Sequence, residues 1–125
     1  MLESAQAMAT VAVKDLAKAG KFYEGTLGLE RLEQQEEEAL VFQAGASKLL
    51  VYRSQFAGTN EATAVTWNVG KDVDGMVRKL AGKGVRFEHY DLPGGVREGD
   101  VHVFGDLRTA WFKDPDGNIH SLVNE

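Results

Sequence analysis

Val13-Lys14-Asp15-Leu16-Ala17-Lys18-Ala19-Gly20-Lys21-Phe22-Tyr23-Glu24-Gly25-Thr26-Leu27-Gly28-Leu29 carries the signals that decide the fold. Asp15 is a good helix N-cap, because its carboxylate accepts from the free N–H groups of a first helical turn. Leu16, Ala19, Phe22, Tyr23 and Leu27 then recur at helical spacing and form one apolar face. Gly28 follows as the stop, where a left-handed backbone is usual. A helix over 16–27 is predicted. Upstream, Met8-Ala9-Thr10-Val11-Ala12-Val13 is short and partly β-branched, which predicts a strand.

Three further strands are predicted after the stop, over Leu29–Gln35, Ala39–Gln43 and Ser47–Arg53. Ala44-Gly45-Ala46 suits a tight hairpin between the last two. The acidic run Glu36-Glu37-Glu38 suits a solvated turn better than a cation site. Then the pattern begins again. Ala62–Val69 reads as a strand and Asp72 as a cap. Val73, Met76, Val77 and Leu80 share a helical face, Gly84 is the stop, and Val85–Tyr90 is the exit strand. Asp15 and Asp72, and Leu29 and Val85, are separated by almost the same number of residues. Cap, helix and exit strand therefore repeat together as an internal duplication.

Thr109–Lys113 and Ile119–Val123 complete the second half. Asp114-Pro115-Asp116-Gly117 joins them with turn chemistry, because Pro presets φ and Gly takes the left-handed position. A long connection, residues 91–107, separates Tyr90 from Arg108. It has no counterpart in the first half and suits either the mouth of a pocket or a surface or dimer contact. The predicted class is α+β, two tandem βαβββ modules (about 7–54 and 62–125) in one domain, forming a curled mixed sheet around a cup with the helices outside.

Composition narrows the function classes. The 125 residues suit one domain, with 43% hydrophobic residues for a core and 26% charged residues for a soluble surface. No apolar run approaches the ~20 residues of a membrane span, and no secretory signal is expected. There is no cysteine, which removes disulfides, thiolate metal sites and a catalytic thiol, and the default compartment is the cytoplasm. The net charge of −5 disfavours nucleic acid, which needs clustered Lys and Arg.

Val13-Lys14-Asp15-Leu16, Phe22-Tyr23, Leu27-Gly28-Leu29 and Asp114-Pro115-Asp116-Gly117-Asn118, in this order and separation, resemble the vicinal-oxygen-chelate superfamily. That group includes glyoxalase I, extradiol dioxygenases, and fosfomycin- and bleomycin-resistance proteins. The resemblance spans essentially the whole chain. It implies a cup-shaped pocket in each half and a homodimer whose cups are completed across the interface. In metal-dependent relatives four ligands line the cup. Carried onto this chain, their positions fall at Met8, Val51, Ala64 and Ser121. None of these side chains is a good ligand for a hard or borderline metal, so no metal cofactor is expected.

Strand alternation places Thr10, Thr66 and Asn68 on the cup face, with Leu49, Val51 and Arg53 contributed by the last strand of the first half. Arg53 offers a bidentate anchor for an anion. Tyr90 and Trp111 offer aromatic surfaces, and His102 is the histidine best placed for a ligand. His120 reads as a packed or hydrogen-bonded sheet residue. The resulting expectation is a glyoxalase/bleomycin-resistance-like protein that binds a small organic molecule without metal. The ligand contacts are expected from Thr10, Arg53, Thr66, Asn68, Tyr90, His102 and Trp111. Two alternatives stand beside it. One is a lyase, isomerase or dioxygenase of the same superfamily with displaced metal ligands. The other is a metal-independent enzyme using Arg53, His102 or the Glu88–Asp91 cluster.

Overall fold

A computed structural model describes residues 1–32 and 38–124. The end of the predicted Leu29–Gln35 strand and most of the acidic run lie outside the described residues. The chain is α+β, built as two mixed sheets that do not close into a barrel. In the first, β1 (Ala9–Val13), β4 (Ser47–Arg53), β3 (Ala39–Ala44) and β2 (Glu30–Arg31) lie side by side in that order. In the second, β5 (Thr63–Asn68) pairs with β10 (Ile119–Val123), and β10 with β9 (Leu107–Lys113). The free edge of β9 carries two partners, β6 (Phe87–Glu88) and β8 (Val101–Phe104), and β7 (Val96–Glu98) pairs with β8. Each half opens with a strand parallel to its last strand and antiparallel pairing follows, so the two halves repeat one topology.

The predicted first helix divides in two. Asp15 accepts from Lys18 N–H at 3.1 Å and caps α1, Leu16–Gly20. From Lys21 to Thr26 the chain is π-helical, closed by Leu27 N–H donating to Phe22 C=O at 2.9 Å. The wider turn turns two consecutive aromatics inward. Tyr23 is fully buried among Val11, Val13, Phe42 and Val51, while Phe22 packs on both this cluster and that of the second half. The second helix, α2 (Val73–Gly82), is capped by Asp72, which accepts from Gly75 N–H at 2.9 Å. Its Val73, Val77 and Leu80 are buried against Ala110, Phe112 and Leu122, each worth about 1.5–3 kcal/mol of apolar burial.

The long connection over 91–107 is ordered as the β7–β8 hairpin, which widens the second sheet. Arg108 holds it against the helix layer. Its guanidinium donates to both carboxylate oxygens of Asp74 on α2, at 2.9 and 3.0 Å, and to Glu98 on β7 at 3.1 Å. That ion pair holds the Asp74 carboxyl below its ordinary range.

One buried hydrogen-bond network joins the halves. The Tyr23 hydroxyl donates to Asp114 Oδ2 at 2.6 Å and lies 3.0 Å from His120 Nε2. Trp67 Nε1–H, which can only donate, meets His120 Nδ1 at 2.9 Å. The proton of neutral His120 therefore sits on Nε2 and points at the tyrosine oxygen. Asp114 also accepts from the backbone N–H groups of Asp116 and Asn118, and from Asn118 Nδ2. Asn118 Nδ2 reaches Ala12 C=O on β1 at 2.7 Å, and Asp116 accepts from Lys14 N–H at 3.0 Å. The Asp-Pro-Asp-Gly-Asn stretch is thus a hub as well as a turn. Gly58, at φ 78°, lets the linker between the halves lie directly on the Asp116 carbonyl.

Burial drives the Tyr23 pKa upward, reinforced by the Asp114 carboxylate, and presses His120 down to about 4 from an ordinary 6.5. Two predictions follow from these groups. Tyr23→Phe leaves Asp114 and His120 each short of a buried partner, and it is expected to lower the free energy of urea unfolding by about 2–4 kcal/mol. For His120 the folded pKa lies below the unfolded one. Above pH 6.5 both states are neutral and the stability is whole. As pH falls from 6.5 toward 4 only the unfolded chain takes up the proton, and stability drops by about 3 kcal/mol at most. Burial holds His102 below its ordinary value too, which adds in the same direction. Urea titrations across this window are expected to show a shallower pH slope in His120→Gln than in the parent.

Candidate functional site

The two faces of each sheet are chemically different. Val11, Val13, Leu49 and Val51 point to the first helix layer, and Val65, His120, Phe112 and Leu122 to the buried side of the second sheet. The opposite face carries Thr10, Leu50 and Tyr52 in the first half. In the second it carries Thr66, Ser121, Trp111, Thr109 and His102, following the strand registers. Val51 is 0% exposed and pairs with Val11, so it belongs to the core and not to the cup. This corrects the expectation that Leu49 and Val51 line the cup. The cup-side neighbours in β4 are Leu50 and Tyr52.

The seven expected ligand contacts separate into groups. Tyr90, His102 and Trp111 come together. The Trp111 ring stands edge-on to Tyr90 at 5.2 Å and to His102 at 4.9 Å. Thr66 hydrogen-bonds Ser121 side chain to side chain at 2.8 Å. It shares a cavity of about 410 Å³ with Asn68 and Lys48 at the seam of the two sheets, and Asn68 also accepts from Gly70 N–H. Thr10 is exposed and donates to the Met8 carbonyl. Arg53 lies at the end of β4, where its guanidinium holds Glu38 in a two-pronged ion pair. Neither Thr10 nor Arg53 joins the aromatic group.

The aromatic group has the more unusual polar balance. Tyr90 N–H donates to His102 Nε2 at 3.0 Å, which leaves the proton of the neutral ring on Nδ1. His102 is 3% exposed, yet Nδ1 has no partner among the described residues, and neither has the buried Tyr90 hydroxyl. Burial lowers the His102 pKa and raises that of Tyr90, with the Glu88 carboxylate adding to the latter. Buried polar groups are nearly always paired in folded proteins. Cavities lie on both sides of Tyr90. One, of about 330 Å³, is walled by the β7–β8 hairpin, His89, Asp91 and Arg97. The other, of about 400 Å³, is bounded by Glu61, Thr63, Trp111 and Ile119.

Sequence reasoning grouped Glu88, His89 and Asp91 near one strand end but did not foresee their partners. His89 pairs with Asp100 at 2.7 Å and with Arg97, across the hairpin, while Glu88 faces Lys113 at 3.7 Å. No local spacing signals these pairs, because the β7–β8 hairpin and the pairing of β6 with β9 create them.

A metal finds a poor site here. Met8 is exposed, the cup-side residues beside Val51 are Leu50 and Tyr52, Ala64 is an alkyl group, and the Ser121 hydroxyl is engaged by Thr66. Among the described residues no three His, Asp or Glu side chains converge as a metal-holding group. The donor set does not fit the metal of the metal-dependent relatives.

Comparison with solved structures returns the same architecture. Lactoylglutathione lyase from Agrobacterium tumefaciens superimposes with a TM-score of 0.72 at 19% identity, covering 99% of this chain and 96% of that one. The fosfomycin resistance protein FosX from Mesorhizobium loti gives 0.69 at 15% identity, covering 100% and 94%. FosX from Listeria monocytogenes, in its hexagonal form, gives 0.73 at 17% identity, covering 98% and 93%. At these identities the likeness shows the fold alone. No match was found among curated proteins. The family model described as Glyoxalase/Bleomycin resistance protein/Dioxygenase superfamily matches residues 5–121, and the chain belongs to that superfamily.

Proposed function

We propose that this protein binds a small organic molecule without a metal, at the Tyr90–His102–Trp111 cluster. The observation that carries this reading is the pair of buried, unpartnered polar atoms, Tyr90 Oη and His102 Nδ1, among aromatic rings and beside cavities of ligand size. A ligand that brings an acceptor to Nδ1–H and a partner to the hydroxyl removes a desolvation cost that the free protein carries. Thr66 and Asn68 supply a further polar patch on the same side of the sheet. We place the protein in the cytoplasm, as one domain of two modules, about 7–54 and 62–125. We also propose a homodimer, which is supported by exposed Met8 and Tyr52 on or beside the cup face of the first half. Among the described residues no helix is long and apolar enough to cross a membrane.

The second reading, a lyase, isomerase or dioxygenase with displaced metal ligands, is favoured by the likeness to lactoylglutathione lyase. Thermal-shift measurements separate the two. Compounds from a panel of aromatics, metabolites and antibiotics are expected to raise the melting temperature, by about 2.7 kcal/mol of stabilisation at a hundredfold excess over Kd. Zn²⁺, Mn²⁺, Ni²⁺ and Co²⁺ are expected to leave it unchanged. Stoichiometric metal in tag-free protein, or stabilisation by one of these ions, would overturn the metal-free reading. Tyr90→Phe provides a second check. It removes an unpaired hydroxyl, so the free protein is expected to gain about 1 kcal/mol in urea unfolding while the ligand-induced melting shift shrinks. A destabilised variant with full ligand response would show that the hydroxyl serves the fold.

A further inference from the structure

The cavity beside the hairpin presents two opposite charges that do not answer each other. Arg97 lies on β7 directly across from His102. Its guanidinium donates to His89 Nδ1, and His89 Nε2 meets Asp100 at 2.7 Å. Because Nδ1 accepts, the proton of the neutral ring lies on Nε2 and is given to Asp100. His89 therefore acts as a spacer that holds Arg97 in place without neutralising it, and no carboxylate lies within 4.0 Å of the guanidinium among the described residues. Asp91 lines the same cavity, and its carboxylate has neither an ion pair nor a hydrogen bond among the described residues.

The remaining wall is apolar, formed by Leu92 and Phe104, while Val96, paired with Val103, faces the other side of the hairpin. Gly95 keeps that wall close. A Cβ at this position would fall 2.5 Å from Phe104 Cε1, so only glycine lets the segment around it rest on the ring. A cavity of about 330 Å³ with one held cation, one unpaired carboxylate on its wall and an apolar surface has a definite complement. A simple anion would satisfy Arg97 and face Asp91. A simple cation would meet the reverse conflict. A molecule carrying both charges and an apolar body satisfies every surface.

We propose that this cavity receives a zwitterionic small molecule of the α-amino-acid class with an apolar side chain. Its carboxylate sits on Arg97, its ammonium on Asp91, and its side chain against Leu92 and Phe104. The inference rests on the reading of the Tyr90–His102–Trp111 region as the ligand site, and it names the chemical class.

Isothermal titration of the full chain with three probes tests it: L-phenylalanine, 3-phenylpropionate, which lacks the ammonium, and 2-phenylethylamine, which lacks the carboxylate. L-Phenylalanine is expected to bind at least about tenfold more tightly than either. Arg97→Gln is expected to reduce its affinity to that of phenylethylamine, and Asp91→Asn to that of phenylpropionate. Both side chains are exposed, and circular dichroism is the check that the variants fold. Equal affinity for all three probes, no binding of any of them, or a loss of phenylalanine binding in Arg53→Gln but not in Arg97→Gln would overturn the proposal. If neutral aromatics stabilise the protein while phenylalanine does not, this inference alone fails. If the whole thermal-shift panel is silent, the underlying reading fails with it.

Discussion

The Tyr23 hydroxyl is the point on which the rest of the structure depends. It comes from the helical segment of the first half and sits between Asp114 and His120 of the second. Each member of the network requires the others. Asp114 is buried and negatively charged, a costly state unless several donors surround it. The tyrosine, the turn N–H groups and Asn118 supply those donors. His120 must offer one donor and one acceptor, which only the neutral imidazole does, with Trp67 selecting the tautomer. Asn118 extends the same network to the Ala12 carbonyl. Two sheets that meet along a seam between β1 and β5 are thereby fixed in relative position, and so is the face they present away from the helices.

That rigid frame explains how the two faces divide their tasks. The helix side is occupied by branched aliphatics and by Phe42 and Phe112, and all of its polar atoms in the Tyr23 network are paired. The opposite face of the second sheet is the reverse. It carries Trp111, Tyr90 and His102, and the Tyr90 hydroxyl and His102 Nδ1 have no partner among the described residues. Buried and unpaired groups weaken a fold, so their place on the face that bears the cavities is where a ligand would compensate for them.

Much of this was legible in the sequence. Asp15 and Asp72 cap their helices, Gly28 and Gly84 follow with positive φ, and β10 spans the residues that its composition indicated. These signals are local, carried by a residue and its neighbours within a turn. The sheet alternation at Thr10, Val11, Val13 and Thr66 is local in the same sense. What escaped was long-range or register-dependent. Val51 was placed on the cup side because the carried-over position was one residue out of phase, and a one-residue slip exchanges the faces of a strand. Asp114-Pro115-Asp116-Gly117 carried a sufficient local explanation as a turn, which hid its role as a hub for a tyrosine ninety residues away. The partners of His89 depend on how the β7–β8 hairpin pairs, and residues 91–107 contain no strong strand pattern from which to infer that pairing.

The hairpin is also where the two halves stop being copies. In the first half the edge of β3 carries β2 alone. In the second, the edge of β9 carries β6 and then β8, with β7 beyond it. The added strands bring His102 beside Trp111 and set Arg97 across from His102. They leave the segment from Asp91 to Gly95 to form the far wall of the cavity beside the hairpin. Arg108 ties this addition to α2, so it is braced by the same helix layer that supports the rest of the second sheet. A duplicated scaffold thus keeps one half close to its minimal form and elaborates the other. The placement of a charged hairpin against an aromatic sheet face follows from these added strands.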